Sequence, residues 1–183
     1  MAQLESGDLV DARFDVEFCA GVGGMGRVYR CRDRTSGRSV ALKVMAAVGA
    51  ANRERFAREV RLLSELKHPG IVRYVAHGEL TDGEPYLVME WIDGEPLSGR
   101  ICADPLSVRD AIALARRLCD AVGEAHERGI VHRDLKPANI ILDGGKLEAP
   151  KVLDFGLARS IDTTHAITRT GGIVGTPAYM APE

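Results

Sequence analysis

From Phe14 the chain alternates. Phe14, Val16, Phe18 and Ala20 point one way and Asp15, Glu17 and Cys19 the other, the period of a half-buried strand. A glycine-dense run, Gly21-Val22-Gly23-Gly24-Met25-Gly26, leads into a second alternating stretch, Arg27-Val28-Tyr29-Arg30-Cys31-Arg32. A turn from Asp33 to Gly37 precedes a third strand, Ser39-Val40-Ala41-Leu42-Lys43-Val44. The period then changes: Phe56, Val60, Leu63 and Leu66 recur at helical spacing between Arg53 and Lys67, with Asn52 as N-cap and His68-Pro69-Gly70 as the stop. Strands are predicted over Ile71 to Gly78 and Pro85 to Trp91, joined through Asp82-Gly83. Ile92-Asp93-Gly94-Glu95-Pro96 breaks the pattern and reads as a linker. Ser107, with Asp110 where Glu or Gln is usual, caps a helix over 107–128. Its predicted apolar stripe is Val108, Ile112, Ala115, Cys119, Val122 and His126, the histidine packed at the rim, and Gly129 ends it. Residues 1–12 are expected to be a flexible leader.

Beyond Gly129 the apolar runs Gly129-Ile130-Val131, Ile140-Ile141-Leu142 and Lys151-Val152-Leu153 are short enough for strands. They flank His132-Arg133-Asp134-Leu135-Lys136-Pro137-Ala138-Asn139 and Asp154-Phe155-Gly156, and so deliver Asp134, Lys136, Asn139 and Asp154 to one polar spot. A carboxylate there accepts a proton from a hydroxyl, a lysine holds a phosphate, and an Asp with an Asn suits Mg²⁺. The glycine spacing also occurs in dinucleotide-binding folds, which require a helix immediately afterwards. Here period two resumes at Arg27, so the glycines cap a hairpin. They either close over phosphates without Cβ interference or form an ordinary turn.

Composition narrows the field. The 183 residues are 45% hydrophobic and 27% charged with a net charge of −2, the profile of a globular protein holding one core or two small lobes. No basic surplus points to nucleic acid. The cysteines (Cys19, Cys31, Cys102, Cys119) form no CxxC pair and the five histidines are scattered, which speaks against zinc and for a reducing compartment. The polar, acidic N-terminus does not resemble a signal peptide, and no apolar stretch spans a bilayer. A cytoplasmic location is expected.

Taken in order, the glycine hairpin, Val40-Ala41-Leu42-Lys43, Glu59, His132-Arg133-Asp134…Asn139, Asp154-Phe155-Gly156 and Ala181-Pro182-Glu183 resemble the eukaryotic-type protein kinases, and the bacterial serine/threonine branch in particular. The resemblance implies an α+β, two-lobed fold: a small lobe over 13–92 with a five-stranded antiparallel sheet and one helix, and a mainly helical large lobe over 93–183. It implies a kinase that transfers the γ-phosphoryl group of ATP, with Mg²⁺, to a protein Ser or Thr hydroxyl. Gly21, Val22, Gly23, Gly24, Met25 and Gly26 would cover the phosphates. Lys43 would bind them, held by Glu59, which lies beside the apolar stripe of its helix. Val28, Ala41 and Ile141 would sandwich the base, Met89 would back it, and the backbone from Glu90 to Ile92 would bond it. Asp134 would take the hydroxyl proton beside Lys136, and Asn139 and Asp154 would hold Mg²⁺. Lys136 and the run from Gly175 to Glu183 match the serine/threonine pattern, with Thr176 expected beside Asp134 and Lys136.

The same resemblance places activation-loop phosphosites at Thr168 and Thr170, where a phosphothreonine would pair with Arg133 and self-association would allow autophosphorylation. Family members continue past Glu183 with helices that complete the large lobe. A truncated chain, its catalytic residues intact but incompletely supported, is therefore expected. A weak or silent nucleotide-binding module is the alternative. A dinucleotide-dependent oxidoreductase is a third reading, which requires a helix from Arg27.

Overall fold

The computed structural model describes residues 3–23, 26–45, 60–155 and 176–179. The chain divides into two units, Met1–Glu54 with Arg73–Trp91, and Arg55–Val72 with Ile92–Glu183.

Among the described residues of the first unit, six strands form one antiparallel sheet: β1 (Leu9–Val10), β2 (Phe14–Gly23), β3 (Gly26–Asp33), β4 (Ser39–Val44), β5 (Tyr74–Glu79) and β6 (Pro85–Glu90), in the order β1-β2-β3-β4-β6-β5. Gly26 to Asp33 is a strand, which removes the oxidoreductase reading. One face of the sheet buries Val10, Phe14, Val16, Tyr29, Cys31, Val40, Leu42, Val44, Tyr86 and Val88. Burial in this core pushes the Cys31 thiol up to about 12, so it remains a protonated, inert packing group. Asp33, also buried, accepts from both Arg13 Nε (2.8 Å) and Nη2 (2.9 Å), from Ser36 Oγ and from Thr35 N, which stitches the β3–β4 turn to the start of β2.

The sixth strand comes from the segment expected to be a flexible leader. Arg13 N donates to Val10 O across Asp11 and Ala12, both at positive φ (50° and 53°), the geometry of a type I′ turn. Val10 thereby enters the core opposite Phe14. No Asn-Gly or Asp-Gly pair advertises that turn, so composition alone reads it as loose chain. A second departure lies within β2. Register shifts between Val16 and Phe18 and between Cys19 and Gly21 are bulges, so Phe18 pairs with Arg30 and leaves the face shared by Phe14 and Val16. Phe18 is 46% exposed as a result.

In the second unit, helix α1 is described over 60–65. Its neighbours Leu66 and Ile71, assigned above to the segment 13–92, are buried with Ala121, Ala125, Ile130, Val152 and Phe155. Strand β7 (Gly94–Pro96) pairs with β8 (Ile140–Asp143), which pairs with β9 (Pro150–Val152). The predicted linker is thus partly a strand, because Gly94 lacks the Cβ that would sit 2.0 Å from Leu142 O. Gly129 to Val131, predicted as a strand, forms none. Helices α2 (Leu97–Ala103) and α3 (Val108–Glu127), with short 3-10 turns over Pro137–Asn139 and Pro177–Tyr179, complete the described elements.

Ser107 caps α3 as expected. Its Oγ accepts from Asp110 N (3.1 Å) and donates to Asp110 Oδ2 (2.7 Å). The packed face differs from the predicted one except at Val122, which is half-buried against the cluster of Ala121 and Ala125. Leu114, Ala121 and Ala125 are buried, whereas Val108 is 78% and Ile112 52% exposed, and Ala115, Cys119 and His126 are exposed too. Two apolar stripes run along α3. The one with small alanines wins because it allows close approach, an added Cβ on Gly70 lying only 3.0 Å from that of Ala121. No helix among the described residues is long and apolar enough to cross a membrane.

The left-handed φ of Ala12 costs an L-residue about 1 kcal/mol that glycine escapes. Ala12→Gly is expected to raise stability by about 0.5–1 kcal/mol, read as an upward shift of the thermal midpoint without loss of cooperativity.

Candidate active site

The residues expected to act together lie in both units. In the first, the β2–β3 hairpin pairs Gly21 with Val28, Val22 with Arg27, and Gly23 with Gly26; Gly24 and Met25 fall outside the described residues. Gly26, at φ 130°, has its missing Cβ 2.0 Å from Val44 O, so only glycine allows β3 to start there. Val28 stands opposite Lys43 and Ala41 opposite Met89, so these four share the sheet face turned away from the core. Lys43 is 7% exposed and Met89 7% exposed, a buried cation beside an apolar floor. Glu90 N donates to Arg73 O (2.8 Å) and Glu90 Oε1 accepts from Arg73 N (3.0 Å), which ties the end of β6 to the chain entering β5. Glu59 lies outside the described residues.

In the second unit, Lys136-Pro137 opens a 3-10 turn over Pro137–Asn139, suited to proline at its first position, and Asn139 N donates to Lys136 O. This short turn swings Lys136 and Asn139 back onto Asp134. Lys136 Nζ lies 2.7 Å from Asp134 Oδ2 and donates to Thr176 Oγ1 at 2.9 Å. Thr176 Oγ1 donates to Asp134 Oδ1 at 2.8 Å, and Asn139 Nδ2 reaches Asp134 O (2.8 Å) and Oδ2 (3.3 Å). Burial favours the neutral acid, but the bonds from Lys136 and Thr176 and the lysine charge outweigh it. The Asp134 carboxyl therefore titrates below its ordinary value and is ionised at neutral pH.

Asp154 follows β9 closely. Leu153 N donates to Asn139 O (2.9 Å), which brings Asp154 within one residue of a direct backbone tie to Asn139, and Asp154 has φ 57°. Asn139 directs Nδ2 at Asp134, so Oδ1 is the oxygen this amide could offer to a cation, with the Asp154 carboxylate as the second oxygen donor. The described residues hold no cluster of three or more His, Cys, Asp or Glu. An amide oxygen with a carboxylate is a hard, oxygen-only donor pair that leaves room for waters and phosphate, and it fits Mg²⁺. Ile92 and Ile141 also belong to this unit, Ile141 paired with Pro96 and Lys151. Arg133 is exposed at φ 67°, while Thr168 and Thr170 fall outside the described residues.

His132 carries no role in the sequence reading beyond membership of its motif, yet it joins the two halves of the spot. Its Nε2 is 2.7 Å from Leu153 O, a carbonyl that only accepts, so that nitrogen bears the proton. Nδ1 is then left to accept from Asp134 N at 3.3 Å. The ring lies 4.8 Å from that of Phe155. A buried histidine two residues before Asp134 is a signal only once the Leu153 carbonyl is known to face it.

The protein kinase domain family matches residues 14–183. The chain belongs to the protein kinase family. Serine/threonine-protein kinase pkn2 of Myxococcus xanthus is 40% identical, covering 96% of this chain and 22% of its own length. The solved kinase domain of PknI from Mycobacterium tuberculosis matches with a TM-score of 0.73 and 31% identity, over 85% of this chain and 64% of that one. Rad53 1-466, solved in complex with AMP-PNP, matches with a TM-score of 0.70 and 30% identity over 80% of this kinase chain and 39% of its own. The chain spans about a quarter of the length of the curated relatives it matches.

Burial holds the His132 imidazole below its ordinary pKa, with the bond to Leu153 O and the charges of Asp154 and Asp134 offsetting this only in part. The unfolded chain then binds that proton more readily than the folded kinase. The contribution to stability is whole above about pH 6.5 and is lost as pH falls below it. Urea midpoints are expected to drop between about pH 7 and pH 5, and His132→Phe should flatten that segment of the profile.

Proposed function

We propose that this chain acts as a serine/threonine protein kinase, moving the γ-phosphoryl group of ATP to a hydroxyl of a protein substrate. The observation that carries the reading is the Asp134 carboxylate: ionised, gripped through Oδ2 by Lys136 at 2.7 Å, and accepting a threonine hydroxyl on Oδ1 at 2.8 Å. A group held in that way can orient an incoming hydroxyl and accept the proton it releases. Lys136, one ammonium between Asp134 and Thr176, balances charge at the point of transfer. Asn139 and Asp154 would hold Mg²⁺, and Lys43 the phosphates beneath Gly21, Val22, Gly23 and Gly26. When bound, Mg-ATP supplies the phosphoryl group, and the metal neutralises charge developing on it. Val28, Ala41 and Met89, with the Glu90 backbone, would receive the base.

The test is transfer of labelled γ-phosphate to a generic basic protein. Asp134→Asn, nearly isosteric but unable to accept the proton, is expected to lower the rate by about 100-fold or more. Equal transfer by the parent chain and Asp134→Asn, or none by either, would sink the reading.

Arg133 suggests control. Its exposed guanidinium directly precedes Asp134 and is suited to a phosphothreonine at Thr168 or Thr170, placed there by a second copy of the chain. Alanine at both positions is expected to lower transfer to the basic protein, and an unchanged rate argues against the arrangement.

A further inference from the structure

The sheet face that carries Lys43, Val28, Ala41 and Met89 does not end at Ala41. The register places Arg30 opposite Ala41, two residues along β3 from Val28 and so about 7 Å further from Lys43. The bulge after Val16 brings Phe18 opposite Arg30 on that same face. Trp91, two residues past Met89, meets them: its ring stands 6.3 Å from that of Phe18 at 81°, and Arg30 Cζ lies 5.3 Å from the Trp91 centroid and 5.9 Å from that of Phe18. Arg30 is itself held. Nη2 donates to Ser39 Oγ (3.1 Å), and Nε lies 3.2 Å from Glu17 Oε2, whose companion oxygen is 3.6 Å from Arg32 Nε.

The chain at Glu90–Trp91 is therefore gripped from two directions. On the β5 side both the amide and the carboxylate of Glu90 are bonded to Arg73. On the other side the Trp91 ring is stacked by a guanidinium and edged by a phenyl. Backbone groups fixed before a ligand arrives lose little further entropy on binding it. Glu17 compensates the arginine charge, so the cluster adds rigidity without a strong local field.

We infer that Phe18, Arg30 and Trp91 form a positioning clamp that orders the Glu90–Trp91 backbone for a purine and closes the end of the base pocket remote from Lys43. The inference rests on the proposed reading of Val28, Ala41 and Glu90 as nucleotide-binding. None of the three clamp residues touches the phosphates or the acceptor hydroxyl in that reading, and no bond is made or broken at the clamp.

Trp91 is the single tryptophan of the chain, so its emission reports the clamp directly. The experiment uses the full chain with Phe18→Leu and Arg30→Met, which keep apolar bulk, and Lys43→Met as the nucleotide control. Without nucleotide, both clamp variants are expected to show red-shifted Trp91 emission and lower anisotropy. Their Kd for Mg-ATP should rise about fivefold, and the KM for ATP should rise in step while kcat does not, with Arg30→Lys recovering part of the loss. If emission shifts but the Kd stays within about twofold of the parent value, the cluster merely packs the sheet and the clamp is overturned. If the parent chain and Lys43→Met fail alike to bind Mg-ATP, the nucleotide reading itself falls, and the clamp's assigned purpose falls with it.

Discussion

The Asp134 carboxylate is the point on which the second unit converges. Leaving a buried charge without partners costs several kcal/mol, so the chain must bring donors to it or neutralise it. It brings three: the Lys136 ammonium, the Thr176 hydroxyl and the Asn139 amide. They arrive by two routes. Lys136 and Asn139 come round on the Pro137 turn, and Thr176 reaches in from forty-two residues along the chain. The same donors that make burial tolerable keep the acid ionised, so the stability of this loop and its fitness to accept a proton have one cause.

His132 extends that logic by one step. With its proton committed to Leu153 O, the imidazole has a lone pair left for the Asp134 amide, and it links the loop before Asp134 to the segment before Asp154. The Leu153–Asn139 backbone bond runs parallel to this link. Asp134, Asn139 and Asp154 are thereby held by backbone and ring contacts, which suits groups whose work is positioning. Arg133 and Asp154 both adopt left-handed φ within this short stretch, conformations that cost side-chain-bearing residues about 1–3 kcal/mol and that the surrounding bonds sustain.

In the first unit the constraint is the pleat. One face of the sheet is a closed apolar core; the other carries Val28, Ala41, Lys43 and Met89 in register, because β3, β4 and β6 pair without interruption there. Against β3, β2 slips twice, and each slip turns its side chains over. The first brings Phe18 to Arg30 and the second brings Gly21 to Val28. A strand in perfect register would have buried Phe18 and placed a side chain where the glycines pass.

Much of this molecule was legible in the residues themselves. Period two after Gly26 marked a strand and excluded the helix of a dinucleotide fold, Ser107 with Asp110 marked the start of α3, and the order of Lys43, Asp134, Asn139 and Asp154 marked the family. These are local properties, set by backbone sterics and by the chemistry each side chain carries. The tertiary structure alone decided which of two apolar stripes on α3 is packed, that Leu9–Val10 joins the sheet, and that Phe18 turns away from the core. In each case the local pattern is degenerate. A helix with apolar residues on two sides can bury either, a type I′ turn built from Asp11-Ala12 carries no glycine to announce it, and a single inserted residue reverses a period of two. Only the partners that supply close contact, Ala121 against Gly70 and Val10 against Phe14, break the tie.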